Sequence, residues 1–372
     1  MKDIGIIGTG SYLPEQRVSN VEVALAADVT PEWIQERTGI VERRRAAPEQ
    51  ATSDLAAAAA RHAIESAGLD PAQIDVVVVA TSTPDHPQPA TANLVQQLVG
   101  ADRAAAVDVN AVCSGFVYAL AMAHGLLSTR SRDGYAVVIG ADIYSRILDH
   151  SDRKTSILFG DGAGAVVLGP VGPGLGIRAT HLSGHGDESQ LIRVEAGGSR
   201  LPSSSSTVEQ GRHFFRMDGR GVRRFVRDHL PSAVADLLAE CEVSPSAVDH
   251  LVPHQANGQM LQEIYPLLGL PAAELHLTVD TCANTGAGSI PITLDAANRA
   301  GRLRPGDLVM LAGFGGGMNL GVSLCVWSEA AADAAQVHLR TGQEERRLAA
   351  FDPQNSSHSA RASATAAPRT CP

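Results

Sequence analysis

The chain has 372 residues, of which 44% are hydrophobic and only 4% aromatic, and its formal net charge is −10. This length and composition indicate a globular protein of one large or two smaller domains, with a core of Ala, Val, Leu and Ile. The negative charge argues against nucleic acid as a partner, and no apolar run approaches the ~20 residues of a transmembrane helix.

Cysteine usage and the N-terminus predict the compartment. The five cysteines are odd in number and widely scattered, which predicts neither a disulfide framework nor a metal-ligand cluster. The first residues hold too few apolar side chains before a glycine to make a signal peptide. We therefore expect a cytoplasmic protein without a metal site.

Two glycine-rich segments are similar to the glycine-rich turns that bind dinucleotides. Gly8-Thr9-Gly10 follows an apolar run but lacks a third glycine, and Pro14 would block the helix that must receive a pyrophosphate. Residues 160–165 (GDGAGA) lead into a strand rather than a helix. Both segments therefore predict structural turns and no dinucleotide site.

Short apolar runs alternate with helical patterns along the chain. An amphipathic helix is predicted at 53–67 and a buried strand at 75–80. Further apolar strands are predicted at 136–140, 163–168, 250–253 and 308–312. Continuous apolar strands covered by helices are typical of an α/β protein.

Two pairs of segments repeat each other. Residues 63–83 and 237–258 both run from a helix through a turn with proline into a strand opened by Val/Ile-Asp. Residues 134–145 are similarly echoed by residues 306–317. Two matches in the same order predict two pseudo-symmetric halves with a site where they meet.

Cys113 is the candidate nucleophile of the first half. An apolar run breaks at Cys113-Ser114-Gly115 and resumes as a helical pattern, which places the thiol at a helix N-terminus. Free N–H groups and the helix dipole favour a negative charge there, so we expect a thiol pKa below the usual value of about 8.5. A lone cysteine is more often a small buried hydrophobe, and this motif alone does not decide between the two.

Three segments of the second half are further candidates. His254 follows the predicted strand 250–253, which we take as the counterpart of the strand before Cys113. Open α/β sheets bind ligands at the carboxyl ends of their strands. A lone histidine, however, is more often a core residue. Small residues from Asn284 to Ser289 open a helix predicted at 290–299. Residues 313–317 (GFGGG) leave a bare backbone that is able to approach a substrate and donate hydrogen bonds.

Together, Cys113, His254 in VPHQAN and Asn284 in ANTGAGSIP resemble the β-ketoacyl synthase III branch of the thiolase superfamily. The resemblance extends over residues 1–328 without large gaps. It implies an α/β protein with the five-layered αβαβα thiolase-like fold, made of two pseudo-symmetric halves.

The chain is expected to divide into three parts. Residues 1–170 would form the half with the nucleophilic cysteine, and residues 171–329 the half with the histidine and asparagine. Residues 330–372 are rich in Ala, Ser, Arg and Gln without an apolar period, which predicts a disordered and dispensable tail.

The resemblance implies a role for each candidate. Cys113 would accept an acetyl group as a thioester, with an oxyanion hole formed by its own N–H and the loop of Gly315, Gly316 and Gly317. His254 and Asn284 would stabilise the enolate formed when a malonyl thioester loses CO2. Coenzyme A thioesters are then the substrates, and no metal or redox cofactor is implied.

The resemblance also implies where coenzyme A binds. Trp33 and Arg37 in PEWIQERTGI would hold its adenine and phosphates, with Arg153 nearby and Asn257 lining the pantetheine channel. Gln88 stands where fatty-acid-pathway members often place an apolar residue that reaches the partner's acyl pocket, and its polarity suggests a short acyl group. Family members are homodimers, and we expect the same here.

Local motifs narrow the resemblance to the actinomycete acetoacetyl-CoA synthases, which condense acetyl-CoA with malonyl-CoA to feed a mevalonate pathway. Members that use acyl carrier protein usually have arginine two residues after the VPHQAN asparagine, where this chain has Gln259. Carrier proteins are acidic, so the missing cation should weaken docking, unless Arg220 or Arg223 replaces it. Ketoacyl synthase III and an acyltransferase of secondary metabolism remain the alternatives.

The chain departs from the family pattern beside Asn284. Ala283 stands where the family has glycine, and Gly288 stands where it has alanine. Cys282 is either a second thiol near the site or a packing residue. A non-catalytic subunit is a further alternative, which the intact Cys113 disfavours.

Overall fold

The computed structural model describes residues 2–328. These residues contain two five-stranded sheets with helices between and outside them. None of the helices in this range combines the length and apolar character needed to cross a bilayer. The prediction made for residues 330–372 lies outside the described residues.

The regular elements are numbered in chain order. The strands are β1 (Ile4–Tyr12), β2 (Gln16–Ser19), β3 (Glu42–Arg45), β4 (Ile74–Ala80), β5 (Ala105–Val109), β6 (Tyr135–Ile143), β7 (Asp161–Pro170), β8 (Gly176–Gly184), β9 (Ile192–Val194), β10 (Phe215–Met217), β11 (His250–Pro253), β12 (Glu274–Leu275), β13 (Leu308–Gly315) and β14 (Asn319–Val326). The α-helices are α1 (Asn20–Ala27), α2 (Pro31–Thr38), α3 (Thr52–Ser66), α4 (Thr91–Val99), α5 (Gly115–Ser128), α6 (Ser205–Glu209), α7 (Gly219–Glu240), α8 (Gly258–Ile264), α9 (Val279–Cys282) and α10 (Ser289–Arg299).

The two large sheets have the same topology. The first has the strand order β1-β7-β6-β4-β5, and the second, written from its corresponding edge, has the order β8-β14-β13-β11-β12. In each sheet the second strand runs antiparallel to the first and to the third, whereas the third, fourth and fifth strands run parallel to one another. Strand β4 therefore corresponds to β11, and β6 to β13, which confirms the repeat predicted from the sequence.

Helices cover both faces of both sheets. Helices α5 and α10 lie between the sheets and contact strands of both. Helices α3 and α4 cover the outer face of the first sheet, and α7 packs on the outer face of the second beside α8. This arrangement is the predicted five-layered αβαβα fold, and it explains why β4 is the continuous apolar run IDVVVVA rather than an alternating one.

Two details of the sequence interpretation are wrong. Gly8 and Gly10 lie inside β1, and residues 161–165 lie inside β7, so both segments are strands rather than turns. The strand before Cys113 is β5, whose counterpart is β12 and not β11. The position equivalent to Cys113 in the second half is therefore near Asn284, which follows β12, whereas His254 follows β11, the counterpart of β4.

Candidate active site

Cys113 lies between a strand and a helix, as the sequence predicts. Strand β5 ends at Val109, a single 3-10 turn spans Val112–Ser114, and α5 begins at Gly115. Val112 has a φ of 49°, an unfavourable value for a β-branched residue that the surrounding packing must hold in place. The thiol is thereby fixed at the N-terminus of α5, where it is buried.

The resting state of this thiol differs from the prediction. Burial raises the pKa of Cys113 to about 12, and the charge of Asp142 acts in the same direction. The thiol is therefore protonated at neutral pH. The expected lowering of the pKa is wrong because the loss of hydration outweighs the field of the helix N-terminus.

His254 is held at the C-terminal end of β11. Its backbone N–H donates to Ala312 O over 2.8 Å, and its ring packs edge-on against Phe314 with centroids 5.2 Å apart. Burial lowers the pKa of His254 to about 3, so the imidazole is neutral. Its Nδ1 lies 2.7 Å from Ser289 Oγ; a hydroxyl donating there leaves the proton on Nε2, the nitrogen then available to donate to a ligand.

Asn284 is anchored through its backbone and one side-chain atom. Its N–H donates to Leu158 O over 2.9 Å, and its carbonyl accepts from Gly160 N over 3.0 Å. Its Oδ1 accepts from Gly286 N over 2.9 Å. The side-chain oxygen is thus occupied, and the Nδ2 amide group is the part of Asn284 that can donate to a substrate.

The glycine-rich end of β13 brings these segments together. A Cβ atom on Gly315 would lie 2.7 Å from Cys113 Cβ, so only glycine allows this approach. Gly316 faces Val112 and Ile192, while Gly317 packs against Asn319. Since β13 also pairs with β11, the strand end that touches Cys113 is hydrogen-bonded to the segment that carries His254.

An aromatic cluster that the sequence interpretation missed lies next to the sulfur. The hydroxyl of Tyr144 is 4.0 Å from Cys113 Sγ and 3.0 Å from Ser82 Oγ. Its ring stacks on Phe159, with centroids 4.4 Å apart, and Phe215 packs edge-on against both. Phe159 also bridges to Asn284, so this cluster connects the cysteine and asparagine segments.

A second missed residue is Asp142, near the end of β6. Its Oδ1 accepts hydrogen bonds from Thr81, Ser82 and Thr83, and its Oδ2 accepts from Ala287 N over 2.8 Å. Burial raises the pKa of Asp142 to about 6. A polar residue in the otherwise apolar run AVVIGADI was the available sequence signal, because a buried carboxylate at a strand end is typical of a functional site.

Three of the four residues predicted to hold coenzyme A, Trp33, Arg37 and Asn257, lie in contact with one another. The Arg37 guanidinium lies over the Trp33 ring, 5.5 Å from its centroid. Asn257 Nδ2 donates to Arg37 O over 3.1 Å, and its Oδ1 caps α8 through Met260 N. Arg153 and Gln88 have exposed side chains, so Gln88 does not line an enclosed acyl pocket within its own chain.

The environment of Cys282 bears on whether it is a second thiol of the site or a packing residue. Cys282 is buried, and burial raises its pKa, which favours the packing role over a second reactive thiol. Ala283 has φ 58° and ψ −160°, a backbone conformation that is essentially restricted to glycine. The backbone of Ala283, which stands where the family has glycine, is therefore strained.

One cluster in the described residues has the composition of a metal site. Ligand atoms of His250, Glu274 and His276 lie within 4.8 Å of one another. His250 Nδ1 is 3.0 Å from His276 Nε2, and His250 Nε2 is 3.1 Å from Asp307, while Glu274 pairs with Arg302. These groups satisfy one another, and they lie at the start of β11, at the opposite end from the candidate active site.

Comparisons with known proteins identify the family. Residues 107–186 match 3-oxoacyl-[acyl-carrier-protein] synthase III, and residues 238–327 match the C-terminal part of the same family. The chain is 56% identical to an acetoacetyl CoA synthase of Streptomyces sp. (strain CL190) over 324 residues, covering 87% of this chain and 98% of that protein. It is 46% identical to a beta-ketoacyl-[acyl-carrier-protein] synthase III of Sphingopyxis alaskensis, covering 85% of this chain and 97% of that protein.

A solved structure shows the same fold. The 3-oxoacyl-(acyl carrier protein) synthase III of Pseudomonas aeruginosa superimposes with a TM-score of 0.79 at 37% identity, covering 88% of this chain and 98% of that chain. Sequence identity and fold thus agree over nearly the whole length of these relatives. The protein is an acyltransferase that belongs to the 3-oxoacyl-[acyl-carrier-protein] synthase III family.

Proposed function

We propose that the protein condenses malonyl-CoA with acetyl-CoA to give acetoacetyl-CoA, CoA and CO2 through an acetyl-Cys113 intermediate. The proposal is carried by the contacts that connect the three segments: β13 packs on Cys113 through Gly315 and accepts from the N–H of His254 through Ala312. Asn284 is connected to Cys113 through the aromatic pair of Tyr144 and Phe159. His254 and Asn284 offer neutral donors rather than charged groups. These steps call for no metal or redox cofactor.

The first half-reaction acylates the cysteine. The Cys113 sulfur attacks the carbonyl carbon of acetyl-CoA, a thioester forms, and coenzyme A leaves. Negative charge collects on the carbonyl oxygen as the carbon becomes tetrahedral. Gly315 packs directly on Cys113, and the backbone N–H groups of Cys113 and of the loop from Gly315 to Gly317 would donate to this oxygen as an oxyanion hole.

The second half-reaction makes the carbon–carbon bond. The bond between the malonyl carboxylate and its methylene carbon breaks, CO2 leaves, and the electron pair moves into an enolate. His254 Nε2–H and Asn284 Nδ2–H donate hydrogen bonds to the enolate oxygen. The carbanion then attacks the acetyl carbonyl, and the Cys113 sulfur leaves with the electron pair of the broken bond. Acetoacetyl-CoA is released, and a proton from solvent restores the Cys113 thiol.

The surroundings of the sulfur support a short acyl group. Tyr144, Phe159 and Phe215 are all buried and packed on one another beside Cys113. Three interlocked rings cannot move aside without opening a cavity, which is costly. Acetyl-CoA is therefore proposed over longer acyl-CoA primers.

Charges beside the predicted coenzyme A site support coenzyme A over a carrier protein as the malonyl carrier. Gln259, in the first turn of α8, is exposed and uncharged. Arg223, one of the two arginines able to replace the missing cation, forms an ion pair with Glu263 of the same helix α8. Trp33, Arg37 and Arg153 would bind the adenine and phosphates, which a planar ring and guanidinium groups suit.

A second candidate is ketoacyl synthase III activity with a malonyl carrier protein. Arg220 and Arg224 on α7 are exposed and would favour an acidic partner. The relatives with 42–46% identity carry the name of that activity. A two-substrate assay separates the candidates: purified protein with acetyl-CoA and malonyl-CoA alone should form acetoacetyl-CoA, whereas strict dependence on malonyl carrier protein would support the second.

We also propose a homodimer in the cytoplasm that feeds a mevalonate-type pathway. Strand β5 is an edge of the first sheet within the described residues, and Val107 in its middle is 40% exposed. Met122 and Leu126 on the neighbouring helix α5 are exposed as well. An open apolar edge strand is a template for pairing with another chain, and a second copy of β5 would cover it.

A further inference from the structure

Asp142 is a buried carboxylate for which the proposed reaction has no use. Three hydroxyls and two backbone N–H groups donate to it. Burying a charge is costly even when it is hydrogen-bonded. Only two hydroxyl groups separate this carboxylate from the Cys113 sulfur, and this location indicates a role in the chemistry of the thiol.

The hydrogen bonds between Cys113 and Asp142 run in one direction. The Ser82 hydroxyl donates to Asp142 Oδ1 over 3.0 Å, which uses its one hydrogen. Ser82 Oγ must therefore accept from the Tyr144 hydroxyl, which lies 3.0 Å away. The Tyr144 oxygen then has no hydrogen left for the Cys113 sulfur 4.0 Å away, so the thiol is the donor in that contact.

We propose that Asp142 takes up the thiol proton of Cys113 during acylation, through the hydroxyls of Tyr144 and Ser82. The Cys113 proton passes to the Tyr144 oxygen, the Tyr144 proton to Ser82 Oγ, and the Ser82 proton to Asp142 Oδ1. The sulfur keeps the electron pair of its S–H bond and attacks the thioester carbonyl carbon.

The chain of Tyr144, Ser82 and Asp142, called the relay below, also supplies the proton that coenzyme A needs when it leaves. The bond between the acyl carbon and the CoA sulfur breaks, and the sulfur leaves with its electron pair. Reverse transfer from Asp142 through Ser82 and Tyr144 returns the proton, so coenzyme A leaves as a thiol. Asp142 ends the half-reaction ionised, as it began.

The other basic group near the sulfur is unsuited to this task. His254 keeps its proton on Nε2 when Ser289 donates to Nδ1, and burial lowers its pKa to about 3. Burial raises the pKa of Asp142 to about 6, which makes it a stronger base than an exposed aspartate yet leaves it ionised at neutral pH. Asp142 in turn raises the pKa of the two titratable groups beside it in the described residues, Cys113 and Tyr144, so both are neutral at neutral pH.

The inference rests on the proposed acylation of Cys113 but not on decarboxylation, so the first half-reaction tests it. Formation of the acetyl-enzyme from acetyl-CoA is followed by quenched-flow mass spectrometry between about pH 5 and pH 9. The wild-type rate should reach a plateau above about pH 6, where Asp142 is ionised. Tyr144→Phe keeps the ring but not the hydroxyl, and we expect acylation about 100-fold slower, rising about tenfold per pH unit without that plateau.

Matched variants of Ser82 separate proton transfer from packing. Ser82→Ala removes the middle hydroxyl and should behave as Tyr144→Phe does, whereas Ser82→Thr keeps a hydroxyl and should restore the plateau. Equal losses in Ser82→Ala and Ser82→Thr, or an unchanged pH profile in Tyr144→Phe, would overturn the inference.

A second readout distinguishes failure of the relay from failure of the proposed function. Alkylation of Cys113 by iodoacetamide also requires loss of the thiol proton but involves no acyl-CoA. Its rate should show the same plateau in the wild type and lose it in Tyr144→Phe. A wild type that is alkylated in this way but never acetylated would refute the proposed function and leave the relay standing.

Discussion

The backbone N–H of Ala287 donates to the carboxylate of Asp142 over 2.8 Å, and this bond joins the two halves of the protein at the candidate active site. Asp142 belongs to β6 of the first sheet, whereas Ala287 lies in the turn between Asn284 and α10. The same carboxylate is connected through Ser82 and Tyr144 to Cys113. The positions of Cys113 and of the turn that follows Asn284 are therefore linked through one buried charge.

Removing either proposed enolate donor, His254 or Asn284, should separate the two half-reactions. We expect His254→Asn and Asn284→Ala to form the acetyl-enzyme at close to the wild-type rate, since neither side chain takes the thiol proton. Release of CO2 from malonyl-CoA should fall about 100-fold or more, because a hydrogen bond to a developing oxyanion is lost. The measurement is acetyl-enzyme by mass spectrometry alongside CO2 release, with Cys113→Ala as the control that loses the acetyl-enzyme. Loss of acylation in His254→Asn would assign the base role to histidine.

The folded protein should bind fewer protons at His254 than the unfolded chain does. The folded pKa of about 3 lies below the ordinary value of 6.5, so this histidine contributes stability above pH 6.5 that is lost as the pH falls toward 3. Asp142 acts in the opposite sense between about pH 6 and 3.8, because its folded pKa is raised. The two effects offset each other there in the wild type.

His254→Asn removes the contribution of His254 and leaves that of Asp142. Below pH 6.5, the free energy of unfolding of the variant relative to the wild type should rise by about 1.4 kcal/mol per pH unit as the pH falls. Urea titrations at a series of pH values measure this difference. A pH-independent difference would mean that His254 titrates alike in the folded and unfolded chain.

Ala283→Gly should stabilise the protein. The backbone at Ala283 has a combination of φ and ψ that costs a non-glycine residue of order 1–3 kcal/mol, while glycine adds less than about 1 kcal/mol of unfolded-state entropy. We expect a net gain of about 1 kcal/mol in the free energy of unfolding. Ala58→Gly, the same chemical change in the middle of α3, should instead cost about 1 kcal/mol. Destabilisation by both changes would show that position 283 is unstrained.

A charge on the open edge should abolish the proposed dimer. In a pair of β5 strands, Val107→Arg would bury a guanidinium against its own copy, and like charges in contact repel. We expect the variant to be monomeric by size-exclusion chromatography with light scattering. Leu25→Arg, on the exposed face of α1, should leave the oligomeric state unchanged. A dimeric Val107→Arg protein would place the interface elsewhere.

Local patterns were sufficient to predict an α/β protein with two similar halves and to single out Cys113, His254 and Asn284, whereas the five αβαβα layers were implied by the family resemblance. Each of those residues follows an apolar strand or opens a helix, and such junctions are visible over a few residues of sequence. Tyr144 and Asp142 were missed because their importance depends on contacts with Ser82 and Ala287, which are about 60 and 145 residues away along the chain.

The protonation state of Cys113 could not be predicted for a related reason. A helix N-terminus is a local feature, but desolvation depends on everything that surrounds the sulfur. The aromatic rings and the Gly315 backbone that bury it come from distant segments. Sequence therefore showed where the thiol lies and not how tightly its proton is held.

The correspondence between Cys113 and Asn284 at equivalent strand ends bears on how such an enzyme can arise. Two identical subunits placed face to face would present the same side chain from both sides of their shared cleft. In a single polypeptide the two loops are free to differ, and here one carries a thiol and the other a carboxamide. Two sheets of the same topology thus present different chemical groups at equivalent positions, an asymmetry that a symmetric pair of identical chains does not have.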